Sequence, residues 1–242
     1  MKKYNEVVAD RYDKEVVGEI GTSGMEKVYA YTLEQLKKCI ADVIVIAERR
    51  GKKCNELTVL DVGCGDGKLM ECWEAYGVMQ EHLSGVDLSS KRIERARHNL
   101  PKATFSVGDI VDLEVSEKFD LVVAFDVFSH LNTEEEIIKA MASIKERLNP
   151  DGLFVWYDIC SRDHFNAPAN ADSWGFSPQQ FETYLRKGGF EIIHRKNLFK
   201  NFFYRYQSLY QVRRFPRSLV RLAEIVIPGP PGNILFVSGK IN

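Results

Sequence analysis

Short runs of β-branched and aliphatic residues alternate along this chain with stretches whose apolar positions recur every three or four residues, the rhythm of βαβ units. The runs at 57–62, 82–87, 104–107, 119–125, 153–159, 190–194 and 233–241 read as seven strands. The fourth, Phe119-Asp120-Leu121-Val122-Val123-Ala124-Phe125, is apolar at positions facing both sides, as a central parallel strand requires. Helical spacing marks 68–76, 89–99, 134–148 and 177–187, and a longer amphipathic helix at 32–49 precedes the first strand. The helix ends carry their own signals. Ser89 or Ser90 would cap one helix, Thr133 with Glu136 forms a capping-box pattern, and Ser177 with Pro178 opens another that stops at Gly188-Gly189. Asn149-Pro150-Asp151-Gly152 reads as a turn before the fifth strand. The last apolar run would pair antiparallel beside its neighbours. The pattern therefore predicts an α/β fold with a doubly wound, mostly parallel sheet, an antiparallel C-terminal strand and helices on both faces.

Composition narrows this only a little. With 242 residues, 45% hydrophobic and 28% charged, the chain has enough material for one full core, and no linker or repeat forces a domain boundary. The net charge of −1 gives no general attraction to nucleic acid. The charge is uneven, however. Residues 195–221 hold eight Lys and Arg and no acid, interleaved with Phe199, Phe202, Phe203, Tyr204, Tyr206, Tyr210 and Phe215. This basic aromatic insertion, about 195–232, admits three uses: attraction of an anionic substrate, contact of 195–227 with an anionic membrane, or a plain solvated cap. The first residues lack the apolar stretch of a secretory signal, and no apolar run is long enough to span a bilayer. Five cysteines without a C-x-x-C pair fit reduced thiols in a cytoplasmic protein, with no metal site required.

Chemistry concentrates after the first strand. Val59-Leu60-Asp61-Val62-Gly63-Cys64-Gly65-Asp66-Gly67 runs from strand into glycine-rich turn and on to a helix. Alternate glycines let the backbone bend sharply and approach a ligand with no Cβ in the way. Twenty residues after Gly67, Asp87 closes the second strand, where a carboxylate can accept bonds from both hydroxyls of a ribose. A dinucleotide site would want G-x-G-x-x-G for its pyrophosphate. Here the spacing is G-x-G-x-G, with Asp61 before it and Asp66 inside it. Those acids would repel a pyrophosphate and suit a ligand bearing an amino group and a sulfonium.

Residues 57–193 resemble the class I S-adenosylmethionine (SAM)-dependent methyltransferases. Asp61-Val62-Gly63-Cys64-Gly65-Asp66-Gly67 is similar to that family's first motif, which holds the methionine part of SAM, and Asp87, followed by Leu88, matches its ribose-binding acid. Gly108-Asp109-Ile110 matches the position of the acid that meets the adenine amino group, and Phe125-Asp126 the strand end beside the methyl group. Leu148-Asn149-Pro150-Asp151-Gly152 is similar to the L-x-P-G-G turn, with Asp151 in place of the first glycine. Tyr4 to Asp13 resembles the entry segment of small-molecule members, in which aromatic residues, here Tyr4 and Tyr12, fold over SAM as part of a lid at about 1–50. The resemblance implies a single Rossmann-like domain over 1–242, an enzyme, and SAM as its cofactor.

Methyl transfer is an in-line displacement, so the protein must align the nucleophile and exclude water. A base is needed only where the nucleophile arrives protonated. The sequence offers His130 and Asp158 at strand ends, beside Asp126 and Tyr157, and His164 in the polar loop that follows. The leading expectation is methylation of O or N on a small molecule, such as a sugar, phosphorylated or lipid-linked intermediate. The alternatives are an RNA or DNA methyltransferase gripping through 195–221, or a non-catalytic SAM-binding protein. Against the former, the fourth strand ends in Phe125-Asp126-Val127-Phe128 and not in N/D-P-P-Y/F.

Overall fold

The computed structural model describes residues 26–160, 175–198, 217–229 and 231–241. In chain order the elements are α1 (Glu26–Arg49), β1 (Val59–Val62), α2 (Met70–Ala75), β2 (Leu83–Asp87), α3 (Ser90–Asn99), β3 (Thr104–Val107), β4 (Phe119–Phe125), α4 (Glu134–Arg147), β5 (Leu148–Ile159), α5 (Pro178–Lys187), β6 (Phe190–Asn197), α6 (Arg217–Val226) and β7 (Asn233–Lys240).

The strands form one seven-stranded sheet in the order β3-β2-β1-β4-β5-β7-β6. β7 pairs antiparallel with both β5 and β6, while β1 to β5 run parallel, so only the C-terminal strand is reversed, as predicted. The order turns around between β1 and β4. In open α/β sheets that switch point opens a crevice beyond the carboxyl ends of the strands.

Alternate residues of each strand feed two cores. On one face Val59, Leu121, Val123 and Tyr157 pack with Leu36, Ile40 and Val43 of α1, Trp73 of α2 and Ile93 of α3. On the other, Leu60, Val122, Ala124 and Trp156 pack with Ile137, Met141 and Ile144 of α4 and Phe181 and Leu185 of α5. Every residue of β1 and β4 is buried, which places the switch point over the best-packed part of the sheet. Trp156 anchors the second core, with ring centroids 4.6 Å from Phe128 and 4.5 Å from Phe181. Truncating such a side chain costs about 3–5 kcal/mol.

The helix signals hold, with small shifts. Ser89 caps α3 by accepting from the Arg92 N–H at 3.2 Å, and Ser177 and Gln180 form a full capping box on α5. Thr133 accepts from the Glu136 N–H at 3.1 Å, but the Glu136 carboxylate reaches back to the N–H of Asn132, one residue before the cap. α2 begins at Met70, not at 68, because the glycine-rich turn extends to Gly67, whose φ is 83°. Asn149-Pro150-Asp151-Gly152 is not a separate turn. Leu148 already pairs with Phe119, and an irregularity before Leu121 takes these residues into β5. From Leu36 onward α1 belongs to the core, so any lid falls before that point. Tyr4 and Tyr12 lie outside the described residues.

Candidate active site

At the switch point the chain leaves β1 through three glycines in the left-handed region: Gly63 at φ 77°, Gly65 at 55° and Gly67 at 83°. The N–H groups of Gly63 and Cys64 both donate to the Val86 carbonyl, at 2.7 and 3.1 Å, which folds the turn against the end of β2. A Cβ on Gly63 would overlap the Val127 side chain. Asp87 locks the same turn from the other side. One carboxylate oxygen accepts from the Gly65 N–H at 2.9 Å and the other from the Ser89 N–H at 2.8 Å. Beside this turn lies a cavity of about 230 Å³, whose polar lining comprises Asp87, Arg92, Asp109, Asp126 and His130.

Three acids stand at or behind the cavity in different states. Asp61, buried behind the turn, keeps one carboxylate oxygen with no hydrogen-bond partner. Burial, helped by the charge of Asp87, pushes its pKa up to about 8. Asp126 follows β4 at a left-handed φ of 54°, its N–H held by the Tyr157 carbonyl at 2.9 Å. Its side chain is exposed to the cavity, and desolvation at the foot of that cavity, together with the charge of Asp158, raises its pKa above the ordinary aspartate value. Asp158 is wholly buried and accepts from the N–H groups of Ser129 at 3.0 Å and Ile159 at 2.9 Å and from the Trp156 indole at 3.3 Å. Burial lifts its pKa to about 6, against those hydrogen bonds, which pull it down.

Residues 59–152, the stretch that builds this cavity, match a family model described as a methyltransferase domain. The matched stretch is about two fifths of the chain. The dTDP-3-amino-3,4,6-trideoxy-alpha-D-glucopyranose N,N-dimethyltransferase of Streptomyces venezuelae is 35% identical over 118 residues, 48% of this chain and 46% of that protein. The malonyl-acyl-carrier-protein O-methyltransferase of Halalkalibacterium halodurans is 31% identical over 145 residues, 56% of this chain and 48% of that protein. The chain thus spans about half the length of these curated relatives. The fold is similar to that of magnesium protoporphyrin IX methyltransferase from Synechocystis PCC 6803, solved with bound S-adenosylhomocysteine (SAH), at a TM-score of 0.62 over 97% of this chain and 99% of that chain, with 14% identity.

Within this matched stretch, Gly63, Asp87, Leu88, Asp109, Ile110, Phe125, Asp126 and His130 all line the cavity. Gly65, Gly67, Cys64 and Asp61 stand behind it and shape the turn. Cys64 is a packing residue: its thiol would lie 2.7 Å from a Cβ on Gly85, and burial pushes its pKa up, away from reactivity. Asp109 uses one oxygen to accept from the Val111 N–H at 3.1 Å, which fixes its loop. Asp158 does not reach the cavity wall; its three N–H partners occupy it. His164 lies outside the described residues, as does most of the basic aromatic segment. Sequence reading missed Arg92, which enters the cavity from the first turn of α3. Its position three residues after the cap Ser89, facing the glycine turn, was the available signal.

The site fits the family's cofactor. The orphaned oxygen of Asp61 behind the turn suits a cationic amino group, and Gly63 stands in the cavity lining, with Val127 packed where its Cβ would be. Asp87, which accepts two N–H bonds, lines the cavity with an acceptor-only carboxylate, the group that hydroxyl donors require.

Proposed function

We propose that this chain transfers the methyl group of SAM to a nitrogen or oxygen of a small molecule. The observation that carries the reading is Asp87, fixed by the Gly65 and Ser89 N–H groups at the rim of the glycine turn, beside the switch point. When bound, SAM supplies a methyl carbon made electrophilic by its positive sulfur.

The chain's own residues then have separable tasks. Asp87 would hold the ribose hydroxyls, Asp109 the adenine amino group, and the turn from Gly63 to Gly67, backed by Asp61, the methionine part. Leu88, Ile110 and Phe125 supply apolar wall, which excludes water from the reacting atoms. His130, half-buried, completes the polar lining beside Asp126. Both curated relatives are named for small or carrier-linked acceptors, one methylated on nitrogen and one on oxygen, which supports the acceptor class. Among the described residues no helix is long and apolar enough to cross a membrane.

Calorimetric titration with SAH, followed by an acceptor panel scored by SAH release with Asp87→Ala as the blank, tests the reading. Binding with turnover supports it. Binding without turnover on any acceptor would mean a non-catalytic SAM-binding protein.

A further inference from the structure

We propose that Asp126 recognises the methyl acceptor as an amine and takes the proton of its ammonium form, with Asp158 as the positioning residue behind it. The inference rests on the methyltransferase reading above and names the substrate class for the same cavity.

Charge balance in the lining is the first observation. Among the described residues, Asp87, Asp109 and Asp126 line the cavity with one guanidinium, Arg92, and one imidazole, His130. That lining suits a cation; of the three uses open to the basic stretch at 195–221, attraction of an anionic substrate finds no support in it. Asp87 and Asp109 are occupied with the backbone of the turn and loop that hold the cofactor. Asp126 has no such duty. Among the described residues no donor reaches its carboxyl, and it stands at the end of the central strand, where the switch point opens.

Geometry is the second observation. Asp126 is the one non-glycine residue with positive φ among the described residues, and its N–H is tied to Tyr157 of β5. Aspartate tolerates that conformation better than most residues, and it recurs where a side chain must be aimed. Two residues beyond Tyr157's predecessor Trp156 comes Asp158, which binds the indole of Trp156 and the N–H of Ser129 and so clamps the turn carrying Val127 and His130 to β5. The charge of Asp158 makes Asp126 more basic. The other charged groups facing Asp126 are His130 on its own turn, Asp87 and Arg92 across the cavity from β2 and α3, and Asp109 beyond β3.

The step balances. The ammonium gives a proton to the Asp126 carboxylate. The freed nitrogen lone pair forms the N–C bond while the methyl C–S bond of SAM breaks, its electron pair remaining on sulfur. The products are a methylated ammonium, SAH and a protonated Asp126. An aliphatic hydroxyl is far less acidic than an ammonium, so a carboxylate at this position serves an amine better than a hydroxyl.

Matched amine and hydroxyl acceptors test this: dTDP-3-amino-3,4,6-trideoxyglucopyranose against its 3-hydroxy counterpart, and glucosamine against glucose. Binding is read by calorimetry in the presence of SAH, and turnover by SAH release. The amine members are expected to bind, with kcat/KM at least tenfold above the hydroxyl members. Asp126→Asn should lower kcat with the amine at least a hundredfold while SAH affinity stays within twofold. Asp158→Asn should move the acidic limb of the pH profile to lower pH, because Asp126 loses the charge that raises it; a merely structural defect would leave that limb in place. Equal or better use of the hydroxyl members, no amine bound in the presence of SAH, an active Asp126→Asn, or loss of SAH affinity in Asp126→Asn each overturns the inference. Failure of the native protein to bind SAH at all would instead sink the underlying reading.

Discussion

Strand β4 has an aspartate near each end, and the two live under opposite conditions. Asp120, near its start, is saturated: Lys52 at 2.7 Å, the Thr58 N–H and hydroxyl at 3.2 and 3.1 Å, and the Asn149 amide at 2.9 Å all converge on its carboxylate. Burial pushes its pKa up, but these partners more than offset that and hold it below the ordinary value. Asp126, just past the end, has no such donors among the described residues and is driven up. One sheet therefore carries a closed end, where charge is neutralised to hold strands together, and an open end, where an acid faces the cavity. The same residue type is bound into the fold at one end and turned toward the proposed chemistry at the other.

The largest effect should come from the open end. Asp87→Ala removes the acceptor of two N–H groups and the ribose partner, and hydrogen bonds to a charged group are worth about 1.5–3 kcal/mol each. SAH affinity should fall at least a hundredfold by calorimetry, and the urea midpoint should fall as well, because the Gly65 and Ser89 N–H groups lose their acceptor. Asp120→Ala should act on stability alone. Four donors lose their partner, costing about 2 kcal/mol in urea unfolding, while SAH affinity stays within twofold. Because the folded pKa of Asp120 is depressed, its contribution is present above the ordinary carboxylate range and lost as pH falls through it, so native and variant should converge in acid. A large loss of SAH affinity in Asp120→Ala would break the division between the two ends.

How far this division could be read in advance follows from what determines each part. The turn from Gly63 to Gly67 and Asp87 act through the backbone and through fixed local spacing, so their pattern is written in consecutive residues. In the fold the turn and Asp87 come together beside the cavity. The alternation of strands and helices was legible for the same reason, down to the reversed last strand. Asp158 was not. Only the packing of Trp156 and the turn at Ser129, 29 residues away in sequence, reveals that it is buried and engaged. The shift of Asn149 to Gly152 from turn to strand likewise depends on pairing with Phe119, a contact no local pattern contains. Arg92 went unnoticed because a charged residue in a first helical turn is commonly a surface residue.

Two smaller effects sharpen the contrast. Asp61 titrates from an ordinary value of 3.8 to about 8 in the folded protein, so the fold binds an extra proton between those limits. Stability from this group is full below the ordinary value and is lost as pH rises toward about 8. Asp61→Asn should therefore gain stability relative to the native chain as pH climbs through that window, measured by urea unfolding at several pH values. The smallest change is expected at Arg221, whose guanidinium pairs with the exposed Glu34 of α1 at 2.5 and 2.6 Å. Solvent screens such pairs, and Arg221→Gln should leave both the urea midpoint and SAH affinity unchanged.

The account stands on the glycine turn and Asp87 as a grip for SAM. Titration of SAH into the native protein and into Asp87→Ala, by calorimetry at matched pH and salt, addresses that directly. One saturable site in the native chain, with affinity lost in the variant, is the predicted result. No heat from the native chain, or an affinity that Asp87→Ala leaves intact, would contradict it.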